Sequence, residues 1–149
     1  MKNFKIAILT VLLTAMFGGM AFAGGLGFVD YERVVETYPY AQTARKNLDS
    51  KAMALKQYMF DKEKEYESIQ SPVQKQNFQD KVSAELKAKQ TEFIREQARV
   101  EQDIFNKIRG VANAIMIEQK LDAVISDKAV FCGGVDITDT LIQRLKVVK

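Results

Sequence analysis

The sequence predicts an α+β fold, in which a small, oligomerising, barrel-like β-body carries a long antiparallel helical-hairpin (coiled-coil) arm inserted between its strands. Three observations predict it. Between Tyr40 and Gln119 only Pro72 and Gly110 interrupt the chain with a helix breaker. Within that stretch the apolar residues recur in steps of three and four, which is helical periodicity. Short apolar runs of β character flank it on both sides, at Leu26, Phe28 and Val29 before it and at Ala123, Val124 and Ile125 after it.

The chain has 149 residues and opens on a segment that does not belong to the fold. Lys2 and Lys5 give a basic start, residues 6–17 an apolar run, and Ala21, Phe22 and Ala23 the small-x-small pattern read by signal peptidase. Residues 1–23 are therefore expected to be a signal peptide cleaved after Ala23. The apolar run is shorter than the ~20 residues of a spanning helix. No cysteine follows it to carry a lipid, so no permanent membrane anchor is expected.

Leu26, Phe28 and Val29 form the first strand-like run, and Asp30 stands where a helix N-cap belongs, with Val34 and Val35 giving the short helix an apolar side. Pro39 disfavours the α region at Tyr38 and itself suits the first turn of the next helix. The outgoing helix of the arm carries Ala41, Ala44, Leu48, Ala52, Leu55, Met59, Tyr66 and Ile69 on one face, with Lys62 in one seam position. Ser71 and Pro72 mark the reversal, with Pro72 either in the turn or in the first turn of the return helix. That helix carries Phe78, Val82, Leu86, Phe93, Val100, Ile104, Ile108, Val111 and Ile115, and the eleven-residue echo from Phe93 through Ile104 to Ile115 implies little left-handed supercoil. At ~1.5 Å per residue the two helices reach roughly 46 and 70 Å, longer than a compact domain of this size is wide.

After the arm, residues 123–125 read as a second strand and Ala129, Val130, Phe131 and Cys132 as a third, with Ser126, Asp127 and Lys128 as a tight hairpin turn between them. Gly133 and Gly134 end that run. Asp136 or Thr138 caps a last helix bearing Leu141, Ile142 and Leu145. The domains expected are thus a discontinuous body at 24–39 and 120–149 and an arm at 40–119 with its tip near 71–72. Leu26, Phe28, Val29, Val124, Ile125, Val130 and Phe131 are the expected body core or subunit contacts. The body has only about 46 residues and three short strands with open edges, so it calls for association with other copies. Cys132, the single cysteine, reads as a buried small hydrophobe.

Charge and composition exclude several functions. The 22 basic and 19 acidic residues become 20 and 19 without residues 1–23, and the arm holds 14 and 12, interspersed. Such a chain lacks the basic excess that nucleic-acid binding needs. It has no histidine, no glycine-rich phosphate loop and no metal-ligand spacing, so no catalytic residue, metal or cofactor is assigned. Asp136 and Asp139 have a structural role at a helix start.

Gly27, Phe28, Val29 and Asp30, then Val34, Val35, Tyr38 and Pro39, together with the run from Gly133 through Asp136, Thr138 and Asp139 to Leu141, Ile142 and Leu145, resemble the two ends of the Skp/OmpH family of periplasmic chaperones. The resemblance covers the whole mature chain. It implies a periplasmic homotrimer on a small β-body, with three helical arms around a cavity that holds unfolded outer-membrane proteins, and no nucleotide. Members are often markedly basic, whereas the mature chain here is near neutral, and no lipopolysaccharide site is carried over because no residues match one.

Under that resemblance the tip residues Met59, Phe60, Tyr66, Ile69, Val73, Phe78 and Val82 are candidate client contacts, because adaptable apolar groups suit many weak contacts. Met53 and Met116 share that chemistry. The same residues, at helical spacing, equally suit knitting the hairpin together. A second reading of the arm is a structural coiled-coil spacer or adaptor of the cell envelope that engages one folded partner.

Overall fold

The structure is a computed structural model that describes residues 24–147; the expected signal peptide lies outside the described residues. Strand β1 (Gly25–Val29) is the centre of a three-stranded sheet, flanked by β2 (Leu121–Ser126) and β3 (Val135–Asp136). Both neighbours run parallel to β1. Parallel strands cannot be joined by a tight turn and need a crossover connection. Here the crossover between β1 and β2 is the helical hairpin itself.

Helix α1 (Tyr31–Thr37) starts at Asp30, whose Oδ1 accepts the Arg33 amide at 2.9 Å, as its N-cap position predicts. Tyr38 is extended (φ −75°, ψ 114°), and Pro39 opens α2 (Pro39–Ser68). Residues 69–71 turn the chain. Ser71 Oγ accepts the Gln74 amide at 3.5 Å and Pro72 occupies the first turn of α3 (Pro72–Glu118), so of its two expected places Pro72 takes the helical one. α3 runs through Gly110 without a break. Beyond its C-cap Gln119 the chain enters the left-handed region at Lys120 (φ 54°), which ends the helix and feeds β2.

Residues 127–134 depart from the expected hairpin turn and third strand. Asp127–Ala129 forms a 3-10 turn with Ser126 Oγ accepting the Lys128 amide, and residues 130–134 are a loop, so no third strand stands at 129–132. The reason is topological. β2 runs parallel to β1 along one edge, and the next pairing is with the other edge of β1, so the chain crosses the sheet instead of turning back on β2. The apolar run 129–132 is spent on that crossing. Gly133 and Gly134, at φ +80° and +93°, supply left-handed backbone for re-entry, and a Cβ on Gly134 would stand 3.0 Å from the Leu26 carbonyl oxygen. Val135 and Asp136 then pair with Gly27 and Phe28. One expected burial is corrected by this path, since Cys132 is exposed; Phe131, expected as body core or subunit contact, has 102 % relative exposure and so lies outside the chain's own core.

Helix α4 (Thr138–Leu145) closes the body. The N-cap is Ile137, with no side-chain capping bond, so neither Asp136 nor Thr138 holds the expected cap position; Asp136 Oδ1 instead accepts the Thr138 amide at 2.8 Å from one residue further out. The core gathers Val29, Val34, Tyr38, Ile108, Ile115, Leu121, Ile137, Leu141, Ile142 and Leu145, with Ala41 and Ile104 where the arm leaves. Among the described residues nothing further out on α2 or α3 is buried. Leu26 and Val135 are exposed, Phe28, Val124 and Ile125 are half-buried, and Val130 is half-buried on the crossing loop.

Candidate functional site

An arm with no buried core beyond its root must hold its helices together by surface pairs, and those pairs define the candidate site. From root to tip, Tyr40 donates to Asp103 Oδ2 at 2.5 Å, Lys51 pairs with Glu96, Tyr58 donates to Glu85, and the Tyr66 and Phe78 rings meet at 6.3 Å. The hydrogen bond from Tyr58 holds the Glu85 carboxyl below its ordinary range and raises the Tyr58 phenol. Such pairs fix register at little energetic cost or gain, because exposed ion pairs contribute only about 0 to 1 kcal/mol.

At the outer end Tyr58, Met59, Lys62, Tyr66, Phe78, Val82 and Leu86 line an open groove of about 350 Å³. Four of the seven tip residues expected from sequence meet here: Met59, Tyr66, Phe78 and Val82. Phe60 stands exposed outside the groove, Ile69 is half-buried beside the turn, and Val73 is 70 % exposed. Met53 is exposed further down α2, whereas Met116 is half-buried in the body.

Each ring of this outer region has a lysine ammonium over it. Lys62 lies 5.8 Å from the Tyr58 centroid and 5.6 Å from that of Phe78, Lys64 lies 4.3 Å from Phe60, Lys75 5.0 Å from Tyr66, and Lys89 5.0 Å from Tyr58. Lys62, which looks like a flaw in the seam when read as a sequence, packs its stem across the gap between the helices and pairs with Glu65 at 2.6 Å. The Glu65 hydrogen bond raises the Lys62 ammonium above its ordinary range. A cation at such a distance attracts a ring by about 0.5–1 kcal/mol when exposed. That is enough to cover the ring and too little to keep another apolar group away.

Two further concavities escaped the sequence reading. At the arm root Tyr31 and Val35 of α1 face Leu48 of α2 and Phe93, Val100 and Ile104 of α3 around a space of about 490 Å³. Burial, then the nearby Glu101 carboxylate, raises the Tyr31 phenol. Each of these apolar positions is visible as part of a helical stripe, but their convergence depends on α1 folding back against the arm. Beside β2, Val29, Phe105, Ile108, Ala112, Met116, Val124 and Ile125 line an apolar groove of about 390 Å³.

Among the described residues no group of histidine, cysteine or carboxylate side chains is placed to hold a metal ion, and no helix is long and apolar enough to cross a membrane. Among the described residues the arrangement offers many shallow, open contacts.

The sequence matches the protein family described as Outer membrane protein (OmpH-like) over residues 25–145, and the chain belongs to that family. Among solved structures, it is similar to one from Caulobacter crescentus CB15 described as a candidate outer membrane chaperone (OmpH-like), at 16% sequence identity and a TM-score of 0.37, covering 83% of this chain and 84% of that one. No curated protein matches it.

Proposed function

We propose that this member of the OmpH-like family is an ATP-independent periplasmic holdase, which binds unfolded outer-membrane β-barrel proteins in a cavity between helical arms and prevents their aggregation. Residues 1–23 direct export and are removed after Ala23. The bodies, 24–39 with 120–149, associate as a homotrimer, and the arms, 40–119, project from it.

The observation that carries this reading is the groove at the arm's outer end, where displaceable lysines lie over aromatic rings beside the exposed side chain of Met59. An unfolded barrel strand needs its apolar groups covered while it remains free to leave. Many adaptable contacts of this kind do that better than one deep pocket.

Association of bodies is supported by what the single chain leaves uncovered. A parallel sheet is ordinarily buried on both faces. Here Leu26 on one face, Val135 on an edge strand and Phe131 on the crossing loop are exposed, and an apolar groove lies open beside β2. β2 and β3 are opposite edges of one sheet, so contact between them in successive copies is head-to-tail, the kind that closes into a ring.

The test is dilution of an urea-unfolded outer-membrane barrel protein into buffer with and without the mature chain, followed by light scattering and by mass measurement of the complex. Suppressed scattering with a three-subunit complex is expected. Unchanged scattering refutes the holdase, and binding confined to one folded envelope protein establishes the spacer or adaptor instead.

A further inference from the structure

Gly24, the last residue before β1, lies against the start of β2 in a position that admits only glycine. A Cβ there would stand 2.3 Å from Asp122 Oδ1, 2.6 Å from Asp122 Cγ and 2.7 Å from the Lys120 carbonyl oxygen. The backbone nitrogen of a residue lies about 2.5 Å from its own Cβ, so the Gly24 nitrogen is no more than about 5 Å from either oxygen. Among the described residues no other group pairs with the Asp122 carboxylate.

We infer that export processing completes the body: the α-ammonium released on Gly24 when the Ala23–Gly24 bond is cut is received by the Asp122 carboxylate and the Lys120 carbonyl. This rests on the proposed cleavage after Ala23. Before cleavage the Gly24 nitrogen is an amide with one hydrogen and no charge. Hydrolysis by water leaves a carboxylate on the released segment and a three-donor cation on Gly24, with two oxygens no more than about 5 Å away. An opposite charge nearby favours the charged form of the new amine.

The location gives the pair leverage. The ladder between β1 and β2 is irregular at this corner, with the register shifting between Gly25 and Leu26, so the first residue of the central strand is held less regularly than the rest. The other charged groups on the elements around it do not substitute for Asp122. Lys120 carries the same sign as the new cation, Asp136 on β3 lies opposite Phe28 and is bound by Thr138, and Glu118 at the end of α3 is bound by Arg144 of α4. A chain that must cross a membrane unfolded thus gains this contact only once the leader has gone.

Mass measurement of the exported protein decides the premise first: a chain starting elsewhere than Gly24 refutes the cleavage site and leaves nothing for Asp122 to bind. For a chain that does start at Gly24, NMR titration of the α-amine is expected to place it above the ~7.7–8.0 of a free terminus, and in Asp122→Asn to return it to that range. A raised cation stabilises the fold fully below its unfolded value and loses that contribution as pH rises through its folded value. The Gly24-start chain should therefore melt higher than its Nα-acetylated form at pH 7, and the difference should vanish near pH 10. Equal melting at pH 7, or an α-amine that titrates as a free one with Asp122 present, overturns the inference even if Asp122→Asn does not fold.

Discussion

The backbone amide of Asp30 donates to the hydroxyl of Thr138 at 3.0 Å, across 108 positions of sequence. Asp30 follows the first strand and caps α1, while Thr138 starts α4 and is 1 % exposed, so one hydrogen bond ties the beginning of the body to its end. Beside it Arg33 pairs with Asp139 at 2.5 Å on the exposed side. Thr138→Val keeps the shape and removes the acceptor, leaving a partly buried amide unpaired. That costs about 1–3 kcal/mol. Urea unfolding at fixed protein concentration is expected to show that loss, while Arg33→Ala, which breaks only the exposed pair, should cost under about 1 kcal/mol.

Tyr38 presents the opposite case. Its ring is part of the core at 1 % exposure, but its hydroxyl has no hydrogen-bond partner among the described residues. Burial, then the Asp103 carboxylate, raises the phenol above its ordinary range. An unsatisfied buried hydroxyl carries a desolvation penalty of about 1–3 kcal/mol, so removing it should relieve the fold. Tyr38→Phe is expected to raise the unfolding midpoint, and Tyr38→Ala to lower it by the several kcal/mol of a large cavity.

The helices were legible because their signals are local. Asp30, Pro39, Ser71 and Pro72 each act within a turn of their own position, and the three- and four-residue steps need no knowledge of the partner helix. The third strand was not legible because the choice between an antiparallel hairpin and a crossing to the far edge of β1 is made by topology. Val130 and Phe131 have strong β propensity either way. Gly133 and Gly134 carried a usable signal: two adjacent glycines mark left-handed backbone, and the strand begins after them at Val135. At the tip, sequence identified the residues but not their grouping, since it could not foresee that Lys62 and Lys75 would lie over the rings of Phe78 and Tyr66.

Capture and stability are expected to separate along the chain. Tyr66→Ala with Phe78→Ala removes the facing rings of the outer groove, where nothing is fully buried. The proposed holdase action should fall several-fold in the scattering assay while the melting midpoint moves little. Ile108→Ala, in the body, should cost about 2–5 kcal/mol and lower the midpoint directly. A double tip variant that melted early but captured clients normally would refute this division.

Acid should loosen the protein through a small set of carboxylates. Hydrogen bonds from Arg144, Lys51 and Tyr58 hold Glu118, Glu96 and Glu85 below their ordinary range, and bonds from Thr138 do the same to Asp136. For each, the folded value lies below the unfolded one, so the stabilisation is present above roughly pH 4–4.5 and is lost as pH falls through the folded values. Because these surface groups are screened by solvent, thermal melting across pH is expected to show only a gentle acid limb below about pH 4. Asp136→Asn should make that limb shallower, and an unchanged acid limb in that variant would show that its bond to Thr138 contributes nothing.

Arm mobility follows from where burial stops. Ala41 and Ile104 are the outermost buried residues of the two helices, and from there to the turn at 69–71 only half-buried side chains, lysine stems and exposed pairs join α2 to α3. Few buried contacts mean low local stability, so opening should become easier with distance from the body. Amides from about residue 61 to 82 are therefore expected to exchange much faster than those of β1, β2 and the stretch of α3 around Ile108. A holdase for clients of different sizes needs this give, and a bound client should slow exchange on the groove side of the arm, around Met59, Tyr66 and Phe78, while the strands stay unchanged. Hydrogen exchange with and without an unfolded barrel protein measures both effects. Uniform protection from root to tip in the free chain would refute the graded arm, and client protection confined to the body would refute the tip groove as the place of capture.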